Sequence, residues 1–266
     1  MPNRLDLTFA RLKAAREGAL VTFLTAGDPT LEGTPALIAA LARSGADVVE
    51  LGIPYSDPLA DGPSIQASSQ RALDRGVTPD TVLQTVRDAR ALTDVPLVLM
   101  TSYNLALRCG LERFARTFTE AGADGAILTD LPPEEAAPWK AAADAVGIAT
   151  IFLVAPTSTP ARIALIAGSA GGFVYCVSRT GVTGARAEMS SELAALIGRI
   201  RAATDKPVCV GFGVSTPAHV RQVLETADGA VIGSALVDFL HKTAGRPDAG
   251  EQLAALVGSW KAAARG

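Results

Sequence analysis

Eight short stretches rich in Val, Ile, Leu and Phe alternate with helical patterns through the 266 residues, and this alternation constrains the fold more than any other feature. The stretches are Leu20–Thr25, Val48–Leu51, Pro96–Thr101, Gly125–Thr129, Ala149–Val154, Phe173–Ser178, Pro207–Gly211 and Gly229–Ile232. Most are continuously apolar rather than alternating, as strands buried on both faces of a parallel sheet are. Between them lie helical runs such as TPALIAALARSG and LERFARTFTEAG; several open at Ser, Thr or Asp and close at Gly. The segments SGADVVELG, AGADGAILTD and TADGAVIGS each place Ala-Asp between a helix end and a strand start. The ordinary role of Asp47, Asp124 and Asp228 there is turn chemistry, and the repetition suggests repeated βα units. Eight units in this length predict a (β/α)8 TIM barrel with an extra N-terminal helix, spanning 1–266 as one domain. An open Rossmann-type sheet is the alternative, but no GxGxxG follows the first strand.

Only 19% of residues are charged and the net charge is −3, so nucleic acid and acidic membrane surfaces are not the expected partners. No apolar stretch has the ~18 residues of a membrane span. The N-terminal twenty residues carry charges throughout and read as an amphipathic helix rather than a leader. Cys109, Cys176 and Cys209 have no metal-like spacing, and three unpaired cysteines suit a cytoplasmic protein.

Barrels of this kind carry function at the C-terminal ends of their strands. Three late loops there are glycine-rich: SRTGVTG (Ser178–Gly184), GFGVST (Gly211–Thr216) and IGSAL (Ile232–Leu236). Backbone N–H groups of such loops, with a helix N-terminus behind Gly233-Ser234, favour a bound phosphate. Both histidines, His219 and His241, fall in helical stretches, which gives a zinc aldolase no ligand set. The lysines lie in helices, apart from Lys206 at the wrong end of its strand, so a Schiff-base aldolase is unsupported. Acid–base chemistry by carboxylates and a phenol remains. Glu50 interrupts an apolar strand. It either pairs as a buried structural glutamate or faces the lumen mouth, where desolvation would suit it to proton transfer. Asp61 is either a turn-forming residue before Gly62 or a counterpart to Glu50. Tyr175 either packs in the core or offers its hydroxyl to a substrate.

The run ELGIPYSDPLADGPSIQ (Glu50–Gln66) resembles the signature of the tryptophan synthase α subunit family. TFLTAGDP (Thr22–Pro29), DLPPEE (Asp130–Glu135), SRTGVTGAR (Ser178–Arg186) and GFGVST are similar to the same family in the same order. The resemblance implies retro-aldol cleavage of indole-3-glycerol phosphate to indole and glyceraldehyde 3-phosphate, with no cofactor in this chain. It implies acid–base work by Glu50, an indole N–H contact from Asp61 and assistance from Tyr175. Gly184, Gly213, Gly233 and Ser234 would hold the phosphate. Phe23, Thr25, Phe212 and Thr183 would line the pocket, Thr25 beside Asp61. An α2β2 complex with a pyridoxal-phosphate β subunit is implied, with Asp57, Pro58 and Asp130 near the contact. After the third strand the family often carries aromatics followed by Asn-Pro. Here Ser102 precedes Tyr103-Asn104 and Leu105 stands in the Pro position, so one ring of the indole pocket is missing or supplied differently. Two readings of other classes compete: a regulatory subunit that binds phosphate ligands without turnover, and a flavin-phosphate barrel.

Overall fold

A computed structural model describes residues 3–177, 186–211 and 213–265, with the backbone alone for 186–190. The first half of the chain runs α1 (Arg4–Ala15), β1 (Ala19–Thr25), α2 (Thr34–Arg43), β2 (Val48–Gly52), α3 (Pro63–Asp74), α4 (Pro79–Arg90), β3 (Leu97–Thr101), α5 (Tyr103–Cys109), α6 (Leu111–Ala121) and β4 (Gly125–Leu128). The second half runs α7 (Ala137–Val146), β5 (Ala149–Thr150), β6 (Phe152–Val154), α8 (Pro160–Ser169), β7 (Val174–Val177), α9 (Arg186–Arg201), β8 (Val208–Gly211), α10 (Pro217–Leu224), β9 (Gly229–Ile232), α11 (Ser234–Thr243) and α12 (Ala249–Ala264).

All strand pairs are parallel, in the order β5-β4-β3-β2-β1-β9-β8-β7-β6. The two ends of this series, β5 and β6, are separated only by Ile151, so the sheet closes on itself. The sequence predicts one strand over Ala149–Val154; it is split where pairing passes from β4 to β7. The closed sheet and its helices are the predicted (β/α)8 barrel.

Closure explains the apolar runs, because every strand has a lumen face and a helix face. Leu20, Leu24, Val49, Leu51, Leu97 and Leu99 pack outward under the helices. Val21, Val48, Val98, Ile127, Ile151 and Val231 fill the lumen. Alternate residues therefore go to two cores, and both cores are apolar. Helix α1 closes the lower end: Leu5, Phe9 and Leu12 join the lumen cluster, and the Phe9 ring lies 5.7 Å from that of Phe173. Asn3 and Asp6 form a capping box at its start.

The three repeated aspartates do more than turn the chain. Asp47 Oδ2 accepts from the Leu20 N–H at 2.9 Å, Asp124 Oδ2 from Leu97 at 2.9 Å and Asp228 Oδ2 from Val208 at 2.7 Å. Each aspartate's own N–H donates back to the carbonyl of that residue. An amide in the first two residues of a neighbouring strand is thus satisfied. Cations complete the carboxylates: Lys261 Nζ at 2.8 Å and Arg11 on Asp47, Arg90 at 2.7 Å and Arg4 on Asp124, and Arg201 at 2.6 Å on Asp228. All lie at the N-terminal ends of the strands, the stability face of such a barrel.

Candidate active site

At the opposite end, Glu50 sits in the middle of β2, beside Phe23 of β1 and Val98 of β3. It shares the lumen face with Val48. The side chain is 1% exposed and its Oε1 has no hydrogen-bond partner. Burial alone pushes its carboxyl up to about 8. No cation among the described residues pairs with it.

Tyr175 projects from β7 into the same space. Burial raises its hydroxyl well above the ordinary phenol value, and the nearby charges of Glu50 and Asp61 raise it further. Its ring lies over Gly211 of β8. A Cβ at Gly211 would fall 2.7 Å from both Cε1 and Cζ and would collide with Oη. Glycine there is a requirement of close approach, and it fixes where the phenol stands. Gly211→Ala should push the ring aside at an overpacking cost of about 1–3 kcal/mol. Were this lost from the transition state, kcat/KM would fall by roughly 10-fold or more. An unchanged kcat/KM would show that the ring's position does not matter.

Asp61 lies in the loop between β2 and α3, partly exposed, and burial pushes its carboxyl up to about 6. Gln66 Nε2 steadies the loop by donating to the Asp61 carbonyl at 2.8 Å. Burial thus holds the Glu50 carboxyl higher than that of Asp61, the ordering that suits one group to give a proton and the other to stay an anion near neutral pH.

Phe23 forms a wall. Its ring passes over Gly52, where a Cβ would sit 2.8 Å from Cζ. A Cβ at Gly233 would meet Ile65 Cδ1 at 3.6 Å and Phe23 Cβ at 3.8 Å. Ile65 thus lies beside Gly233; the sequence analysis did not single it out, although it lies inside the Glu50–Gln66 signature. The Thr25 hydroxyl is 2.5 Å from Ser68 Oγ, so its hydrogen bond goes to α3. Ser234 opens α11 behind Gly233 with no side-chain cap, which leaves the leading N–H groups of the helix available to an anion. Gly213 lies in the exposed loop after β8 with φ 78°. Thr183, Gly184 and Phe212 lie outside the described residues.

Asp57 is exposed and accepts from Ser56 Oγ at 2.6 Å; Pro58 is half-buried, and its neighbour Leu59 is 90% exposed. Asp130 Oδ1 accepts from the Tyr103 N–H at 2.5 Å and so caps α5, whose own Ser102 makes no capping bond. Tyr103 and Leu105 pack against the helix-side core. Among the described residues, no three His, Cys, Asp or Glu side chains converge as a metal site would. No helix among them is long and apolar enough to cross a membrane.

The closed parallel sheet and its helices define a (β/α)8 barrel protein, with the carboxyls of Glu50 and Asp61 both held above their ordinary values. A family model described as tryptophan synthase alpha chain matches residues 9–265. The chain belongs to the tryptophan synthase alpha chain family. It is 54% identical to the tryptophan synthase alpha chain of Geobacter sulfurreducens over 240 residues, covering 90% of this chain and 91% of that one. It is 48% identical to that of Geobacter sp. strain M21, covering 97% of each. Its fold is similar to the crystal structure of tryptophan synthase subunit alpha from Legionella pneumophila str. Paris, with a TM-score of 0.91 at 38% identity over 99% and 98% of the two chains. A structure of Mycobacterium tuberculosis tryptophan synthase gives a TM-score of 0.90 at 40% identity over 100% and 99%. The chain is accordingly a lyase of tryptophan biosynthesis, cleaving indole-3-glycerol phosphate to indole and glyceraldehyde 3-phosphate by a retro-aldol reaction.

Proposed function

We propose that Glu50 is the acid–base catalyst of this cleavage and that Asp61 holds the indole N–H. The observation that carries this is the lumen-facing carboxyl of Glu50, whose buried Oε1 has no hydrogen-bond partner and whose pKa burial pushes up to about 8. A neutral carboxyl can give its proton to indole C3. The carboxylate left behind then takes the proton of the side-chain hydroxyl as the carbon–carbon bond breaks. Its electron pair returns to the ring, indole and the aldehyde form, and Glu50 regains its proton. Positive charge grows on the ring nitrogen at the first step, and an ionised Asp61 stabilises it there. Tyr175 assists from the facing strand, and Phe23 and Thr25 line the pocket, where Thr183 and Phe212 are also expected from the sequence. The phosphate is held by N–H groups at Gly233, Ser234 and Gly213, with Gly184 the fourth position expected from the sequence. Closure of the loop from Tyr55 to Asp61 and of the GVTG loop would exclude water.

Residues 1–266 would act as one barrel domain in the cytoplasm, in an α2β2 assembly with a tryptophan synthase β subunit. Asp57, Pro58 and Asp130, at the rim beside the exposed Leu59, would lie near that contact and relay the state of the site. Pyridoxal phosphate is assigned to the β subunit. Lys13, Lys140, Lys242 and Lys261 lie on helices and Lys206 before β8, so none is placed at the mouth to form its Schiff base.

The purified chain should release indole from indole-3-glycerol phosphate slowly alone and faster with an added β subunit, and the two should co-elute. Substrate binding with no indole release in the presence of the β subunit would overturn the catalytic assignment and favour a regulatory subunit.

A further inference from the structure

Tyr55 follows β2 at the start of the loop that carries Asp61, and its hydroxyl lies 3.2 Å from Thr129 Oγ1 at the end of β4. Thr129 Oγ1 in turn lies 3.4 Å from the carbonyl of Thr101, the last residue of β3. A carbonyl only accepts, so the Thr129 hydroxyl donates to Thr101 and receives the Tyr55 O–H. Three neighbouring strand ends are joined through one phenol. Asp130, next to Thr129, is itself fixed on the Tyr103 N–H, so the acceptor end of this chain sits on a rigid corner.

The loop end is different. Ser56, Asp57, Leu59 and Ala60 are exposed. Short backbone bonds from Leu59 to Asp57 and from Asp61 to Pro58 shape the loop without attaching it to the barrel. Downstream, Gln66 grips the Pro58 and Asp61 carbonyls from α3. Upstream, the anchor is Tyr55, which is half-buried. Its phenol is raised above the ordinary value by burial and by the charges of Asp61 and Asp130, so it stays a proton donor and lies within the field of Asp61.

We propose that Tyr55 and Thr129 form a positioning pair for the cleavage reaction, their hydrogen bond holding the upstream anchor of the loop so that the Asp61 carboxylate meets the indole N–H. This rests on the role of Asp61 given above. Neither Tyr55 nor Thr129 touches the substrate in this arrangement; both act through Asp61.

The test is steady-state indole release by Tyr55→Phe, Thr129→Val, Thr129→Ser and the Tyr55→Phe/Thr129→Val double variant. Each is measured with and without the β subunit, and Tyr55→Phe is also placed on an Asp61→Asn background. Loss of one hydrogen bond should lower kcat about 3–10-fold in Tyr55→Phe and Thr129→Val. KM should change less than about 2-fold, since the phosphate loops bind the other end of the substrate. Thr129→Ser, which keeps the hydroxyl, should retain the parent rate. The double variant should be no slower than the singles, and Tyr55→Phe should cost nothing further once Asp61 is Asn. An unchanged kcat in both singles, losses that multiply, or Thr129→Ser as slow as Thr129→Val would overturn the pairing. An Asp61→Asn enzyme with full rate would overturn both the pairing and the role of Asp61. A crippled Asp61→Asn beside a normal Tyr55→Phe would overturn the pairing alone.

Discussion

Glu50→Gln should lower kcat for indole release by about 10²–10⁴-fold, the usual cost of losing a placed acid–base group, while making the protein more stable at alkaline pH. The two effects have one cause. Gln keeps the shape of the side chain but can neither deliver a proton to indole C3 nor take one from the hydroxyl. It also carries no charge to bury. In the folded chain the Glu50 carboxyl titrates at about 8, against an ordinary value of 4.5. The unfolded chain therefore loses this proton first as pH rises. Stability contributed by the neutral carboxyl is full below about 4.5 and declines until about 8. The decline is on the order of 3–5 kcal/mol. Urea unfolding at pH 4.5 and pH 8.5 should thus show parent and variant similar at the lower pH and the variant more stable at the higher. A variant with lost activity and equally lost stability at both would point to a structural glutamate instead.

Asp124→Ala should produce the largest loss of stability with little direct effect on chemistry. Its carboxylate accepts from the Leu97 amide and from Arg90 and Arg4, and it is only 4% exposed. Arg90 is 12% exposed in its side chain, so truncation leaves a largely buried cation with carbonyl partners but without its paired carboxylate, and a buried amide unbonded. Removing one partner of such a pair costs about 3–5 kcal/mol. In a chain of this size that lowers Tm by on the order of 10 °C. Because the clasp lies at the end of the barrel away from Glu50, kcat of the folded fraction should stay near the parent value. Calorimetry beside steady-state kinetics separates the two. A parent-like Tm would mean that the clasp contributes nothing.

The barrel was legible because closure buries both faces of each strand, and that demand is written locally in runs such as Leu20–Thr25 and Gly229–Ile232. The split of the fifth strand at Ile151 was not legible, since it depends on which neighbour each half pairs with. Glu50 stood out because a carboxylate within an apolar strand is costly, and the structure adds that its buried Oε1 has no hydrogen-bond partner among the described residues. Asp47, Asp124 and Asp228 read as turn residues, but their bonds to strand amides and distant cations span long sequence separations that no local pattern carries. The same holds for the Tyr55–Thr129 bond, which joins residues 74 apart. It holds too for the seat of Tyr175 on Gly211, where the reason for glycine is a side chain on another strand.

The most direct test of the acid–base assignment is the titration of Glu50 itself, followed by the ¹³C resonance of labelled glutamate carboxyls and assigned by its disappearance in Glu50→Gln. A midpoint near pH 8 is the result expected of a buried carboxyl that holds its proton for delivery to the substrate. A midpoint near the ordinary 4.5 would mean that Glu50 is already ionised at neutral pH, and it would contradict the proposed first step of the cleavage.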